Sequence, residues 1–319
     1  MNKDKHIYIS GCFETGGIYH YIFCNGLLKF KSFTPIDRPM YSIINDGKLY
    51  VVLRAPFYDS NDSGIVFFEI DNDGLLKNRS DIKSTKGTIG CHLCVDNEKV
   101  YVTNYISGSI IKIDEKLVVH NGYSVNKERQ ESAHTHCVVT IPNSDLLCVT
   151  DLGLDKIFIY NKNLDCISSV DAVPGTGPRH VVFSDDGKYM YCANELSSSV
   201  AVYSFDGKNL KYLNESYALP EDFRGENLIA AIRKNGKYIY VSNRGHNSIA
   251  CFEIDNDELC LKSISDCGGD SPRDFEIVDN FIICANQNDG VVSLLEIADN
   301  TKLTLKQKMK VDNALCVTK

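Results

Sequence analysis

Apolar residues come in short runs along almost the whole chain, each bounded by a polar turn, and the runs recur in a fixed order. One kind ends in a small residue plus Asn or Asp. It appears as Lys99-Val-Tyr-Val-Thr-Asn104, Leu146-Leu-Cys-Val-Thr-Asp151, Tyr189-Met-Tyr-Cys-Ala-Asn194, Tyr238-Ile-Tyr-Val-Ser-Asn243 and Phe281-Ile-Ile-Cys-Ala-Asn286. Two looser copies, His6 to Gly11 and Lys48 to Leu53, bring the number to seven. From Asp151 onward these anchors are 43, 49 and 43 residues apart. A second apolar run precedes each anchor run, across a tight turn such as Asp46-Gly47, Asp186-Gly187 or Asn235-Gly236. Such pairs favour the positive-φ turns that match strand twist. A third run follows, as in Ser199 to Tyr203, and then a more polar one, as in Leu75 to Arg79.

The pattern predicts four antiparallel strands per repeat, a to d. Strands a to c are apolar on both faces, whereas a sheet with one wet face alternates apolar and polar. Two buried faces and a period in the forties predict an all-β, seven-bladed β-propeller. A β-sandwich also has many short strands but does not account for the period. The first copy starts at strand b, and Asn313 to Thr318 reads as a lone strand a. The C-terminal strand is therefore expected to complete the N-terminal blade and close the ring, which removes unpaired edges. With no linker or low-complexity tract, residues 1–319 are expected to form one domain.

Composition narrows the partners. The net charge is −8, from 34 basic and 42 acidic residues, with no basic run. That argues against nucleic acid and against an anionic membrane surface. An anionic substrate would have to be met by a few local arginines. The 13 cysteines are odd in number, lie mostly inside strand-like runs and lack CxxC spacing. Reduced, buried thiols account for them better than disulfides or zinc. Met1 to His6 leads into a strand without the apolar core of a secretory signal, and no run reaches membrane-spanning length. The expectation is a cytoplasmic protein, monomeric or a small homo-oligomer, with no cofactor and no metal.

In such a ring, the start of strand a and the end of strand b share the mouth of the central funnel, where a closed ring commonly holds its site. Starts of strand a carry Cys91-His92, Thr135-His136 with His134 before it, Arg179-His180, Leu228-Ile229 and Arg273-Asp274. The residue after each b anchor is Cys12, Arg54, Tyr105, Leu152, Glu195, Arg244 or Gln287. The framework repeats while these positions vary and gather His, Arg and Glu, as expected of a site built on a scaffold. Singly, each Arg reads as an ordinary rim charge. Four aimed at one funnel suit a phosphate or carboxylate. His92 reads as structural; for His180 that reading and a functional one weigh equally. His134 and His136, one residue apart, should point to one side of an extended strand. Beside Arg179, Glu195 serves as a general base or as an Arg orienter. There is no GxSxG elbow, P-loop or Rossmann glycine motif.

Gly177-Pro-Arg-His180, Asn194-Glu-Leu-Ser-Ser-Ser-Val200, Ser242-Asn-Arg-Gly-His-Asn-Ser-Ile249 and Pro272-Arg-Asp-Phe275 resemble the seven-bladed 6-phosphogluconolactonase family, as do His134-Thr-His136 and Thr150-Asp-Leu-Gly153. The resemblance spans nearly the whole chain. Fungal carboxymuconate cyclases share it more distantly, and their His, two Arg and Glu would fall on His136, Arg179, Glu195 and Arg244. Blade 2, with Leu53-Arg54, and blade 6, with Asn227-Leu-Ile229, depart from the pattern. The resemblance implies a lactonase of the pentose phosphate pathway that hydrolyses 6-phosphoglucono-1,5-lactone, a small anionic sugar-phosphate lactone. His136 or Glu195 would activate water, and Arg179 and Arg244 would stabilise the oxyanion or bind the phosphate. His134, His180 and Arg273 are candidates for further substrate contacts. A muconate-type cycloisomerase using the same arginines and a non-catalytic binding propeller are the alternatives.

Overall fold

A computed structural model describes residues 4–299 and 301–319, and no helix occurs among them. The strands form seven sheets. Blade 5 shows the plan: Pro178–Phe183, Tyr189–Asn194, Ser199–Phe205 and Leu210–Tyr217 pair in that order, each antiparallel to the next. In blade 1 the C-terminal strand Ala314–Thr318 supplies strand a, pairing with Lys5–Gly11, so the ring closes as the sequence predicts. Blade 2 is less regular. Its outer strand is broken into Leu76–Lys77 and Lys83–Ser84.

The two-faced apolar strands pack as the pattern requires. Side chains alternate across a strand, so Met190 and Cys192 join a cluster shared with blade 4, while Tyr191 and Ala193 join one shared with blade 6. Seven such clusters occupy the seven blade interfaces. Full burial of each large apolar side chain contributes about 1.5–3 kcal/mol, so the ring is held chiefly between blades.

The recurring Asn is a clip. At the end of strand b, Nδ2 of Asn104, Asn194, Asn243 and Asn286 donates to the hydroxyl of Ser109, Ser199, Ser248 and Ser293 at 3.0–3.2 Å. This fixes the b–c loop, and with it the variable residue that follows each Asn. In blade 4 Asp151 takes this place. It accepts from the His134 and Leu154 backbone amides and from His120 Nδ1, while Tyr160 donates to His120 Nε2.

Every inner strand is interrupted near its mouth end. The pairing register skips Met40, Cys91, His136, Arg179, Arg273 and Leu315 in six blades, and Ala230 with Ala231 in blade 6. A bulge re-aims the extra side chain. Six blades thus direct one residue each toward the axis, where all six line the central cavities.

Candidate active site

The bulged residues and the residues after the clips meet at one mouth. They enclose a cavity of about 310 Å³ lined by Arg54, Arg129, Arg244, Arg273, Glu195 and His136, with Ile89, Cys91, Tyr105 and Ile106 as apolar wall. A larger groove of about 550 Å³ lies between the outer parts of blades 2 and 3. Its charges are largely paired with each other, as Lys99 with Glu115 at 2.6 Å and Lys83 with Asp114, and it holds no His, Cys or Arg. The chemistry is at the mouth.

Glu195 is the hub. Its Oε2 accepts from Arg179 Nε at 2.8 Å and Arg244 Nη2 at 2.9 Å, and its Oε1 from Arg129 Nη2 at 2.5 Å. Burial alone would raise its pKa. The charges of Arg244, Arg179 and Arg129 outweigh that and hold the carboxyl well below the usual range. Arg179 also donates to the Ala230 carbonyl at 2.7 Å, and Arg244 to that of Ile229 at 3.2 Å. Both arginines are thus oriented from two sides. Arg244 Nε is buried without a partner.

His136 sits on the cavity wall, buried, with Nδ1 unpartnered. Burial, reinforced by Arg179, keeps its pKa well below the ordinary imidazole value, so the ring is neutral at pH 7. His180 lies deeper on the axis, its ring centroid 5.1 Å from those of His136 and His92, and its Nε2 has no partner. His92 accepts from the Val138 amide at 3.4 Å and stacks on Tyr41, a structural placement.

His134 is not brought to the cavity. The bulge at His136 breaks the alternation that would put both on one side. The His134 ring stacks on Tyr105 at 4.5 Å and its Nδ1 donates to the Tyr105 carbonyl at 3.0 Å. It supports a wall of the site from behind. Arg273 does reach the cavity. Among the described residues its one side-chain hydrogen bond is Nη1 to Gln287 Oε1 at 3.4 Å, and burial with repulsion from Arg179 and Arg244 pushes its pKa down to about 9.

Arg129 lies outside any strand-end inventory, on the segment 120–134 between blades 3 and 4. That segment is built rather than slack: Gln130 is fully buried, donates to the Leu152 carbonyl and accepts from the Asn126 amide. Its unusual length is the signal that could have found Arg129, because long connections in compact domains are commonly functional.

The assembly has five guanidiniums, one carboxylate and a neutral imidazole. It can hold an anion, stabilise developing negative charge on oxygen and accept a proton. Among the described residues no cluster of three or more His, Cys, Asp or Glu has the arrangement to hold a metal.

The comparisons agree with this architecture. The family model for the seven-bladed β-propeller lactonases matches residues 6–319. An uncharacterized protein of Staphylococcus epidermidis is 34% identical over 309 residues, covering 88% of this chain and 89% of its own. Among solved structures, a Lactobacillus plantarum protein superposes with a TM-score of 0.90 at 29% identity, over 99% of both chains. A Bacteroides fragilis protein provisionally assigned as a 6-phosphogluconolactonase gives 0.88 at 25% identity, over 99% of this chain and 98% of its own. By fold, by the run of its sequence and by this match, the chain belongs to the seven-bladed β-propeller lactonase family.

Proposed function

We propose that this chain hydrolyses 6-phosphoglucono-1,5-lactone to 6-phosphogluconate. The observation that carries the reading is a mouth with five arginines against one carboxylate, with a neutral, unpartnered histidine on its wall. An excess of guanidinium suits a phosphorylated substrate, and the Bacteroides fragilis relative carries the same assignment.

Water attacks the lactone carbonyl carbon, and His136 takes the proton. Arg244, with its free Nε, and Arg179 face the negative charge that develops on the carbonyl oxygen. The ring C–O bond then breaks, the imidazolium returns its proton to the leaving ring oxygen, and the product ionises to a carboxylate. Glu195 is assigned as the orienter of the arginines. Three guanidiniums already saturate it, and a carboxylate held so far down in pKa is a weak base. A bound phosphate dianion offsets the part of the His136 lowering that comes from Arg179 and Arg273, while burial, the larger cause, remains.

The test is a kinetic split. His136→Gln should lower kcat by about 10²–10⁴-fold with KM changed little. A variant with wild-type kcat would remove His136 from the chemistry.

A further inference from the structure

The charges of the cavity are not evenly compensated. On one side Arg129, Arg179 and Arg244 converge on Glu195. On the other side stand Arg54 and Arg273, neither of them ion-paired among the described residues; the charge of Glu195 reaches Arg273 but is outweighed by burial and by Arg179 and Arg244. Arg54 is exposed at the rim, and its side chain makes no hydrogen bond or ion pair with any of them; its position is fixed through its backbone, which bonds to Arg38 and Ser63. Arg273 stands deeper, on its bulge, and among the described residues its side chain donates only to the neutral Gln287. The neighbouring carboxylate, Asp37, is already engaged by Arg38 through two bonds of 2.8 Å. Arg54 and Arg273 both line the same cavity.

Arg273, half-buried beside Arg179 and Arg244 and without an ion-pair partner among the described residues, is costly to keep charged unless an anion arrives, and Arg54 stands at the rim of the same cavity where it can share that anion. The geometry points to Arg54 and Arg273 as the subsite for the phosphate monoester dianion, with the lactone carbonyl lying at the Glu195 end. The assignment of that second end rests on the lactonase reading; the anion subsite does not. Between the two ends, Ile89, Cys91 and Ile106 offer an apolar wall. The burial-raised pKa of Cys91, about 11, keeps its thiol uncharged there. The subsite makes the enzyme selective for phosphorylated over unphosphorylated lactone, because only the former compensates the two arginines.

The test has two arms on the full chain. In the first, inorganic phosphate is titrated calorimetrically into wild type, Arg54→Gln, Arg273→Gln and, as a control outside the cavity, the exposed Arg224→Gln. Each of the first two substitutions removes a charge-assisted hydrogen bond and should weaken phosphate binding about tenfold or more, while Arg224→Gln stays within about threefold. Unchanged affinity in Arg54→Gln and Arg273→Gln, or an equal loss in Arg224→Gln, overturns the subsite. Arg54 is exposed, so its variant folds and keeps this arm decisive.

In the second arm, kcat/KM is compared for 6-phosphogluconolactone and gluconolactone. Arg54→Gln and Arg273→Gln should lose about tenfold or more on the phosphorylated lactone through KM, and little on the other. An equal loss on both lactones overturns the assigned orientation. If wild type turns over neither lactone while the first arm succeeds, the lactonase reading fails and the anion subsite stands.

Discussion

Replacing Glu195 by Gln keeps the shape of the hub and removes its charge. Arg179 and Arg244 are then left as like charges with side chains only 3% and 13% exposed. Breaking a buried ion pair costs about 3–5 kcal/mol, because the remaining charge loses its compensation. Unfolding entropy of about 2.1 cal/mol/K per residue over 319 residues gives about 670 cal/mol/K. The expected fall in Tm is therefore about 4–8 °C. Arg129→Gln is the internal control. Arg129 meets the same carboxylate but is 35% exposed, so its removal should cost about 0–1 kcal/mol. The assay is thermal unfolding at pH 7 in phosphate-free buffer, repeated with phosphate, which should stabilise wild type. The pH dependence has a definite sign. Glu195 has a depressed folded pKa, so its stabilisation is fully present above the unfolded value of about 4.3. It is lost as pH falls below that value, and the gap between wild type and Glu195→Gln should close there. A Tm for Glu195→Gln within about 1 °C of wild type at pH 7 would refute the claim that this carboxylate holds the arginines.

Three further outcomes follow from the same structure. The rate should not fall as pH drops from about 7.5 to about 6.5, because burial holds the His136 pKa well below its ordinary value and the free base persists; a pH–rate profile of kcat/KM with a fall centred near the ordinary imidazole value of about 6.5 would contradict this. Deleting residues 313–319 removes the buried strand that completes blade 1, so cooperative thermal unfolding should disappear; unchanged unfolding would count against ring closure. Asn194→Ala leaves the Ser199 hydroxyl without its clip and should cost about 1–3 kcal/mol, read by denaturant unfolding, with a larger proportional loss of activity because the clip precedes Glu195.

Much of the ring is legible in the sequence because its causes are local. Strand b recurs with its Asn because that side chain must reach a Ser at the start of strand c, and the missing first strand a is visible as a surplus strand at the end. Arg179, Glu195 and Arg244 could be placed at one mouth because they sit at fixed offsets from these landmarks. What the sequence hides is the bulge. It adds one residue to the inner strand without changing its apolar character, yet it turns His136 and Arg179 toward the axis and leaves His134 behind Tyr105. Two-residue alternation, sound for a regular strand, therefore fails where the site is built. Arg129 is hidden for another reason: it reaches Glu195 from a loop 66 residues away in sequence, and no periodicity reports on such a contact.

Hydrolysis of a phosphorylated sugar lactone at the arginine-rich mouth can be followed directly. Freshly generated 6-phosphogluconolactone is followed to 6-phosphogluconate with and without purified protein, against the spontaneous rate in the same buffer. The lactone should disappear faster than in buffer, in proportion to protein concentration, and this excess rate should be suppressed in Arg179→Ala. A wild-type progress curve that superimposes on buffer would contradict it.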